Sequence, residues 1–211
     1  MTASKFPSVI WITGKAAIGK GTMSEFLLDR FSSFAHISVG DILRHETKDP
    51  ESPFAQQLQQ ILGAGQIVPS SLAMPILRRW ILKKADEGFK CIVIDGFPRA
   101  LDQALMYEQE MGLPAVLLHF DAPDSVCLAR TLNRAKEAIA NGENPRSDDN
   151  EEKFAIRLEA FNSTTLPVIQ HYQKDHPDVY ACVDCNASRE EVFERVLDVL
   201  KQRHSLSKCL I

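Results

Sequence analysis

The sequence predicts an α/β fold in which a five-stranded parallel sheet is covered by helices on both faces. Short apolar runs alternate with longer segments of helical periodicity, and this rhythm is typical of βαβ units. The first run, rich in β-branched residues, leads through a glycine-containing loop directly into a helical pattern. At 211 residues, the chain is expected to form one core with small appendages.

The apolar runs give the predicted strands, which are residues 9–13, 34–37, 91–95, 115–121 and 179–184. The predicted helices are residues 21–31, 40–45, 54–63, 71–87, 101–111, 125–140, 151–176 and 190–203. Residues 141–150 are rich in turn formers and are predicted to be a loop, and residues 204–211 to be a frayed tail. Ligands bind at the carboxyl ends of parallel strands, where Gly14, Asp95 and Asp121 are placed.

Composition excludes several classes of function. The formal charge of −4 and the pI of about 5.9 argue against a general binder of nucleic acids or membrane surfaces. No apolar run approaches the roughly 20 residues of a membrane span, and residues 1–7 have no signal-peptide core. We therefore expect no nucleic-acid or membrane partner and a cytoplasmic location, with the nucleus left open as a second one.

The five cysteines are expected to be free thiols in a reducing compartment, because their number is odd and they are scattered along the chain. Cys182 and Cys185 form a C-x-x-C pair, which raises the alternative of a zinc or redox site. No second pair accompanies them and they lie in an apolar run, so buried strand thiols are the favoured interpretation.

Residues 14–22 are the most informative stretch of the sequence. They match the phosphate-loop pattern G-x-x-x-x-G-K-[ST], except that Gly21 stands between Lys20 and Thr22. The backbone N–H groups of such a loop and of the helix after it bind phosphate oxygens. The Lys20 ammonium is expected to reach the β and γ phosphates, and the Thr22 hydroxyl to ligate Mg²⁺. A plain glycine-containing turn is the alternative, which the lysine, the threonine and the flanking elements together disfavour.

Further charged residues are predicted at the same edge of the sheet. Asp95 ends the third strand, and its carboxylate is expected to hold Mg²⁺ directly or through water. Guanidinium groups bind phosphate bidentately and keep their proton, so arginines near this edge are candidates for neutralising phosphate charge. These arginines are Arg44, Arg99, Arg130, Arg134, Arg146 and Arg157.

Five motifs occur in an order that carries a resemblance to a known family. They are residues 19–22, 38–44, 65–69, 95–99 and 146–150. Together they resemble the adenylate kinase and UMP/CMP kinase family of nucleoside monophosphate kinases, over about residues 9–200. Within that family, the last two motifs are most similar to those of fungal-type uridylate kinases.

The resemblance implies one nucleoside monophosphate kinase domain over residues 1–211, with a five-stranded core of the P-loop NTPase type. The core comprises residues 8–37, 88–134 and 151–203. A mobile segment that binds the monophosphate covers about residues 38–73, and a short mobile lid covers about residues 135–147. The lid has no cysteine, so no zinc is expected in it.

The resemblance also implies roles for individual residues. The ATP site would comprise Ala17, Ile18, Gly19, Lys20, Gly21, Thr22, Arg130, Arg134 and Ala187, with Arg130 stacked on the base and the Ala187 backbone beside it. The monophosphate site would comprise Val39, Arg44, Gln66, Ile67, Val68, Gly96, Phe97, Arg99, Gln103, Arg146 and Arg157. The implied catalytic set is Lys20, Arg99, Arg134, Arg146 and Arg157, and the implied metal set is Thr22 with Asp95 through water.

Three departures from the family pattern stand out. Lys15 and Ala17 occupy positions at which the phosphate loop usually has glycine, and a positive φ at either would cost roughly 1 kcal/mol or more. Pro145 precedes Arg146 where glycine is usual, in a lid several residues longer than its short relatives. Val39 stands where adenylate kinases tend to have threonine and pyrimidine kinases alanine.

The predicted reaction is reversible transfer of the γ-phosphoryl group of MgATP to UMP or CMP, with some use of AMP. Mg²⁺ is the expected cofactor, ATP and a nucleoside monophosphate are the expected partners, and a monomer is the expected state. Val39, Ala100 and Gln103 are predicted to read the base, with the Gln103 amide flipping to suit each one. Two alternatives remain: an adenylate kinase that makes two ADP, and a nucleotide-binding protein with weak catalysis.

Overall fold

The structure is a computed structural model that describes residues 6–64, 66–146 and 148–210. It contains a parallel sheet with the strand order β2-β3-β1-β4-β5. The strands are β1 (Ser8–Gly14), β2 (Phe34–Ser38), β3 (Cys91–Asp95), β4 (Val116–Asp121) and β5 (Tyr180–Asp184). The predicted α/β fold with a five-stranded parallel sheet is confirmed, and each strand lies within one residue of its predicted bounds.

Helices connect the strands. They are α1 (Lys20–Arg30), α2 (Val39–Glu46), α3 (Ala55–Gly63), α4 (Ser70–Asp86), α5 (Leu101–Met111), α6 (Asp124–Ala140), α7 (Glu151–Ala160), α8 (Leu166–Asp175) and α9 (Arg189–Lys201). Within the described ranges, none of them combines the length and the apolar character that crossing a bilayer requires.

The single helix predicted over residues 151–176 is wrong, because a π-helical turn, Phe161–Thr165, divides it into α7 and α8. Pro167 has no backbone N–H to donate within the helix, and it stands in the first turn of α8. The Thr164 hydroxyl donates to the Ala160 carbonyl at 2.6 Å inside the same turn. The proline therefore explains why the regular pattern cannot continue through this segment.

The core consists of two apolar layers, one on each face of the sheet. Alternate residues of β1 point to opposite layers, so Trp11 lies in one and Ile10 and Ile12 in the other. The Trp11 ring packs edge-on against Tyr107 at 4.8 Å and Tyr172 at 5.7 Å between ring centres. These contacts fix α5 and α8 on one face of the sheet.

The carboxyl-terminal tail is packed, so the prediction of a frayed tail is wrong for residues 204–210. His204–Leu206 forms a 3₁₀ turn, and Leu206 and Cys209 are 0% and 4% exposed. The Ser33 hydroxyl donates to the Cys209 carbonyl at 2.9 Å. The tail completes the apolar layer that contains α1 and α9.

Only one thiol of the C-x-x-C pair is buried. Cys182 is exposed on β5, which lies at an edge of the sheet, and Cys185 is buried just after that strand. The prediction of buried strand thiols is therefore wrong for Cys182, because one face of an edge strand can remain open to solvent.

We expect Leu206→Ala to lower the free energy of unfolding by about 2–4 kcal/mol, because it leaves a cavity in a closed apolar layer. Urea unfolding of both proteins measures the difference. The matched control is Lys208→Ala, at an exposed position of the same tail, which should stay within about 0.5 kcal/mol of the parent. Equal stability of the Leu206 variant and the parent would show that the tail does not belong to the core.

Candidate active site

The loop between β1 and α1 passes close under the neighbouring strand. Gly14 has φ 150°, and a Cβ at this position would lie 2.6 Å from the Phe120 carbonyl oxygen of β4. A side chain here would have to displace backbone, so the position requires glycine. The close approach fixes where the loop leaves the sheet.

Of positions 15 and 17, where the phosphate loop usually has glycine, only position 17 holds a strained residue. Ala17 has φ 54° and is the one non-glycine residue with positive φ in the described ranges. The left-handed conformation costs an alanine roughly 1–2 kcal/mol. The expected strain is therefore found at Ala17 and not at Lys15.

Lys15 anchors the loop instead, a role that sequence reasoning missed. Its Nζ donates to the Ala122 carbonyl at 2.9 Å and lies 2.6 Å from an Asp124 carboxylate oxygen. The Oδ1 atom of Asp121 lies 3.5 Å from the same Nζ. The available signal was one aspartate at the end of a predicted strand and another just after it, but nothing in the sequence linked them to Lys15.

Lys20 begins α1 and turns back under the loop. Its Nζ donates to the Gly14 carbonyl at 3.0 Å and to the Lys15 carbonyl at 2.8 Å. Burial lowers the pKa of Lys20 to about 8, with Asp95 acting against this shift and Arg99 and Arg157 adding to it. The half-buried ammonium therefore interacts with several nearby charges.

Asp95 presents an unused acceptor to this space. Its buried Oδ1 has no hydrogen-bond partner among the described residues, and its Oδ2 lies 3.9 Å from Nε2 of His36. Burial lowers the pKa of His36 despite the nearby carboxylate. His36 was missed by the sequence analysis, although its strand pairs with the one that ends at Asp95.

Three arginines of the predicted set are paired with aspartates. Arg134 Nε donates to Asp149 at 2.8 Å, and its Nη2 donates to the second oxygen of the same carboxylate. Arg157 pairs with Asp148, and Arg44 pairs with Asp41. Each guanidinium is thus already held by an anionic group of the same general shape as a phosphate face.

Arg130 joins two loops at the edge of the sheet. Its guanidinium donates to the Cys185 carbonyl at 2.9 Å, to the Ile18 carbonyl at 3.3 Å and to the Ala187 carbonyl at 3.5 Å. The predicted ATP-site residues Ile18, Arg130 and Ala187 are therefore adjacent. A flat apolar group could stack on a guanidinium held in this way.

Arg99 and Gln103 stand together at the start of α5, where Gln103 is buried and Arg99 is exposed. Arg99 Nε donates to the Gly96 carbonyl at 3.1 Å, and the Thr165 hydroxyl donates to the Arg99 carbonyl at 2.9 Å. Burial lowers the pKa of Arg99, and the neighbouring Arg157 adds to this shift. Arg99 thus lies with Lys20 and Arg157 in one cluster of positive charge.

The Gln103 amide has a fixed orientation, so the expectation that it flips freely is wrong. Its Oε1 accepts from the Arg99 backbone N–H at 3.0 Å, and its Nε2 donates to the Val68 carbonyl at 2.9 Å. A flip would place N–H against N–H and oxygen against oxygen. Phe97, Val68 and Val39 are buried nearby in the same apolar layer.

The remaining predicted site residues differ in their exposure. Thr22, Ile67 and Gly96 are half-buried, and Gln66 and Arg146 are exposed. Arg146 lies near enough to Asp41 to contribute to lowering the pKa of that carboxyl, to which the Arg44 and Ser38 side chains contribute more. Gly65 and Ser147, which belong to two of the motifs, are outside the described residues.

The strand, loop, helix and half-buried lysine form an arrangement typical of phosphate-binding loops at the carboxyl edge of a parallel sheet. The family of adenylate kinases matches residues 12–177. Uridylate kinase of Saccharomyces cerevisiae is 34% identical over 92% of this chain and 91% of its own length. Adenylate kinase 1 of Schistosoma mansoni is 33% identical over 89% and 90%. UMP-CMP kinase of Danio rerio is 32% identical over 93% and 98%.

This chain belongs to the adenylate kinase family. The match covers most of the sheet and the phosphate loop from Ile12 onward. The resemblance inferred from the five motifs is therefore confirmed.

We expect Ala17→Gly to raise the free energy of unfolding by about 0.5–1 kcal/mol. Glycine relieves the left-handed strain, and its greater freedom in the unfolded chain offsets part of that gain. Ala16→Gly is the matched control, because Ala16 does not have a positive φ. It should lower stability by about the same amount. Urea unfolding measures both changes, and a loss of stability in both variants would contradict strain at Ala17.

Proposed function

We propose that this protein is a nucleoside monophosphate kinase that transfers the γ-phosphoryl group of MgATP to UMP or CMP, with some use of AMP. One observation carries the proposal: Lys20, Arg99 and Arg157 lie close enough beside the loop after β1 to interact electrostatically, with Lys20 and Arg157 half-buried and Arg99 exposed. Phosphoryl transfer requires charge neutralised on donor, acceptor and moving group, and little else from the protein. Family membership supports the same class of reaction.

In this proposal the ATP phosphates lie in the loop formed by Ala17, Ile18, Gly19, Lys20, Gly21 and Thr22. Lys20 donates hydrogen bonds to two carbonyls of its own loop. Phosphate oxygens would accept some of these hydrogen bonds in their place. Arg130 and the Ala187 backbone would contact the base, since they lie side by side above the loop. Arg134, Arg146 and Arg157 would surround the transferred group.

The residues fit Mg²⁺, which the reaction would need beside the phosphates. The unpaired, buried Oδ1 of Asp95 is an acceptor with no donor, and an ion or its water would satisfy it. The Thr22 hydroxyl would be the second protein ligand. When bound, the ion supplies charge that stabilises the transferring phosphoryl group.

We also propose that two parts of the chain move during the reaction: residues 38–73, which would bind the monophosphate, and the lid, residues 135–147. Asp148 and Asp149 now hold Arg157 and Arg134, and phosphate oxygens would replace these carboxylates when both substrates are present. Closure would exclude water, so that the monophosphate and not water accepts the phosphoryl group. Such an enzyme would work as a monomer in the cytoplasm.

The acceptor base would be read by Val39, Ala100 and Gln103. With its two present bonds, the Gln103 amide keeps one lone pair and one N–H for a base, in a fixed order. Cytosine and adenine present the opposite order to uracil, so the fixed amide would favour one of the two pyrimidines without excluding the other. Val39 is 5% exposed and has no hydroxyl, which leaves a purine group that expects a hydrogen bond unpaired, at about 1–3 kcal/mol.

The relatives named uridylate kinase and UMP-CMP kinase support a pyrimidine acceptor. The relative named adenylate kinase 1 keeps AMP as the alternative, and the Gln103 amide can pair with adenine. The strained Ala17 favours a third possibility, a nucleotide-binding protein with weak catalysis. A coupled assay over UMP, CMP, dCMP and AMP separates the three, because tight ATP binding without turnover would identify the last.

We expect Lys20→Met to lower kcat by a factor of 100 or more and to leave the melting temperature unchanged or raised. The variant loses the charge at the phosphates, and it also removes a buried ammonium whose burial is unfavourable. A coupled assay and a thermal melt measure the two effects. Lys201→Met, at the exposed end of α9, is the control and should keep full activity. Turnover within threefold of the parent would overturn the assignment of Lys20.

We expect Val39→Thr to raise kcat/KM for AMP relative to UMP by about tenfold, because the added hydroxyl can bond to the purine. The measurement is kcat/KM for UMP, CMP and AMP in both proteins. Val199→Thr makes the same exchange on α9, away from the site, and should leave the ratio unchanged. A tenfold preference of the parent protein for AMP would show instead that it is an adenylate kinase.

A further inference from the structure

Two histidines and a glutamate meet on the face of the sheet that carries α5 and α8. The ligand atoms of Glu108, His171 and His176 all lie within 4.8 Å of one another, and each residue is half-buried. In residues 6–64, 66–146 and 148–210 this is the one group of three or more potential metal ligands. We propose that these residues form a binding site for a divalent transition-metal ion, with Zn²⁺ the best fit.

One ring nitrogen of His171 is paired with a carboxylate, which orients the other nitrogen as a potential metal ligand. Its Nδ1 lies 2.9 Å from an Asp175 carboxylate oxygen, one helical turn further along α8. Its Nε2 is buried and has no hydrogen-bond partner among the described residues. A carboxylate that holds one nitrogen and leaves the other free is the arrangement found behind metal-bound histidines. A metal ion would satisfy this otherwise unpaired atom.

Glu108 is held in a similar way. The Tyr172 hydroxyl donates a hydrogen bond to Oε1 of Glu108, which fixes the carboxylate near the two imidazoles and leaves Oε2 available. The rings of His171 and His176 lie 5.4 Å apart between centres, and the His176 ring also packs on Tyr172 at 5.3 Å. The three ligands therefore come from one packed group, and Tyr172 itself is fixed by Trp11.

The ligand set selects the kind of ion. Two imidazoles and one carboxylate suit Zn²⁺, with water in the fourth position, whereas Mg²⁺ prefers oxygen ligands alone. Ligand atoms in a tetrahedral zinc site lie about 3.4 Å apart, given bonds of about 2.1 Å. Contraction from 4.8 Å needs movements of about 1 Å, which side-chain rotation can supply.

The proposed metal site lies away from the phosphate loop, so its ion would not act in phosphoryl transfer. Glu108 is in the last turn of α5, which leads back toward the start of β4. The His176 carbonyl accepts from the N–H groups of Val179 and Tyr180, at the start of β5. Both places belong to the amino-terminal edge of the sheet, opposite the ends of β1 and β3.

The ion would cross-link α5 and α8 at this edge. At the other end of the same two helices, the Thr165 hydroxyl already donates to the Arg99 carbonyl. The helix pair would then be tied at both ends. Because Arg99 and Gln103 stand at the start of α5, the metal would stabilise the element that carries the proposed acceptor site without touching a substrate.

Thermal melting of the full chain after treatment with a chelator tests the proposal. Zn²⁺ at 100 times its Kd should raise Tm by about 5–10 °C, and the same concentration of Mg²⁺ should not. Elemental analysis after desalting should give one zinc per chain. Co²⁺ should give visible absorption bands without the intense near-ultraviolet band of a thiolate ligand.

The variants His171→Gln and His176→Gln should each weaken zinc binding at least tenfold and abolish the rise in Tm. Glu108→Gln, which retains an acceptor for Tyr172, serves if a histidine variant does not fold. His204→Gln, at an exposed histidine, and the double variant Cys182→Ser with Cys185→Ser should both bind zinc like the parent. Zinc binding that survives the Glu108 and histidine changes, or that is lost with the cysteines, would overturn the proposal. An unchanged Tm of the parent protein with zinc would also overturn it.

Discussion

Repulsion between like charges is the constraint on which the candidate active site depends. Lys20, Arg99 and Arg157 are gathered at the carboxyl edge of the sheet, where burial and mutual repulsion lower the pKa values of Lys20 and Arg99. Asp95 opposes this effect for both groups. The folded protein therefore keeps an excess of positive charge at this edge, which polyanionic phosphates can neutralise. Substrate binding should reduce the electrostatic repulsion between these groups.

Two aspartates just before α7 pair with arginines near this edge of the sheet. Asp149 pairs with Arg134 and Asp148 with Arg157, so each guanidinium is positioned by a carboxylate. Asp149 is nearly buried, and a buried ion pair contributes little net stability but fixes geometry. The two ion pairs therefore fix the positions of two guanidinium groups, and an incoming phosphate could replace the carboxylates as their partner.

The sequence predicted the sheet and the phosphate loop because both depend on local patterns. Apolar runs located all five strands, and the spacing from Gly14 to Thr22 located the loop. The failures depend on contacts between distant residues. The orientation of Gln103 is set by Val68, 35 residues away, and the burial of the tail depends on Leu206 reaching α1 and α9. His171 and His176 gave no signal, because their partner Glu108 is on another helix.

The anchor formed by Lys15 has a consequence for how this sequence can change. Lys15 and Ala17 belong to one short loop, so their effects on stability are not independent. Glycine at position 15 would restore the usual residue but would leave Asp124 and the Ala122 carbonyl without their cation. The two positions are therefore linked by epistasis. A substitution at position 15 should therefore change the cost of the strained alanine at position 17.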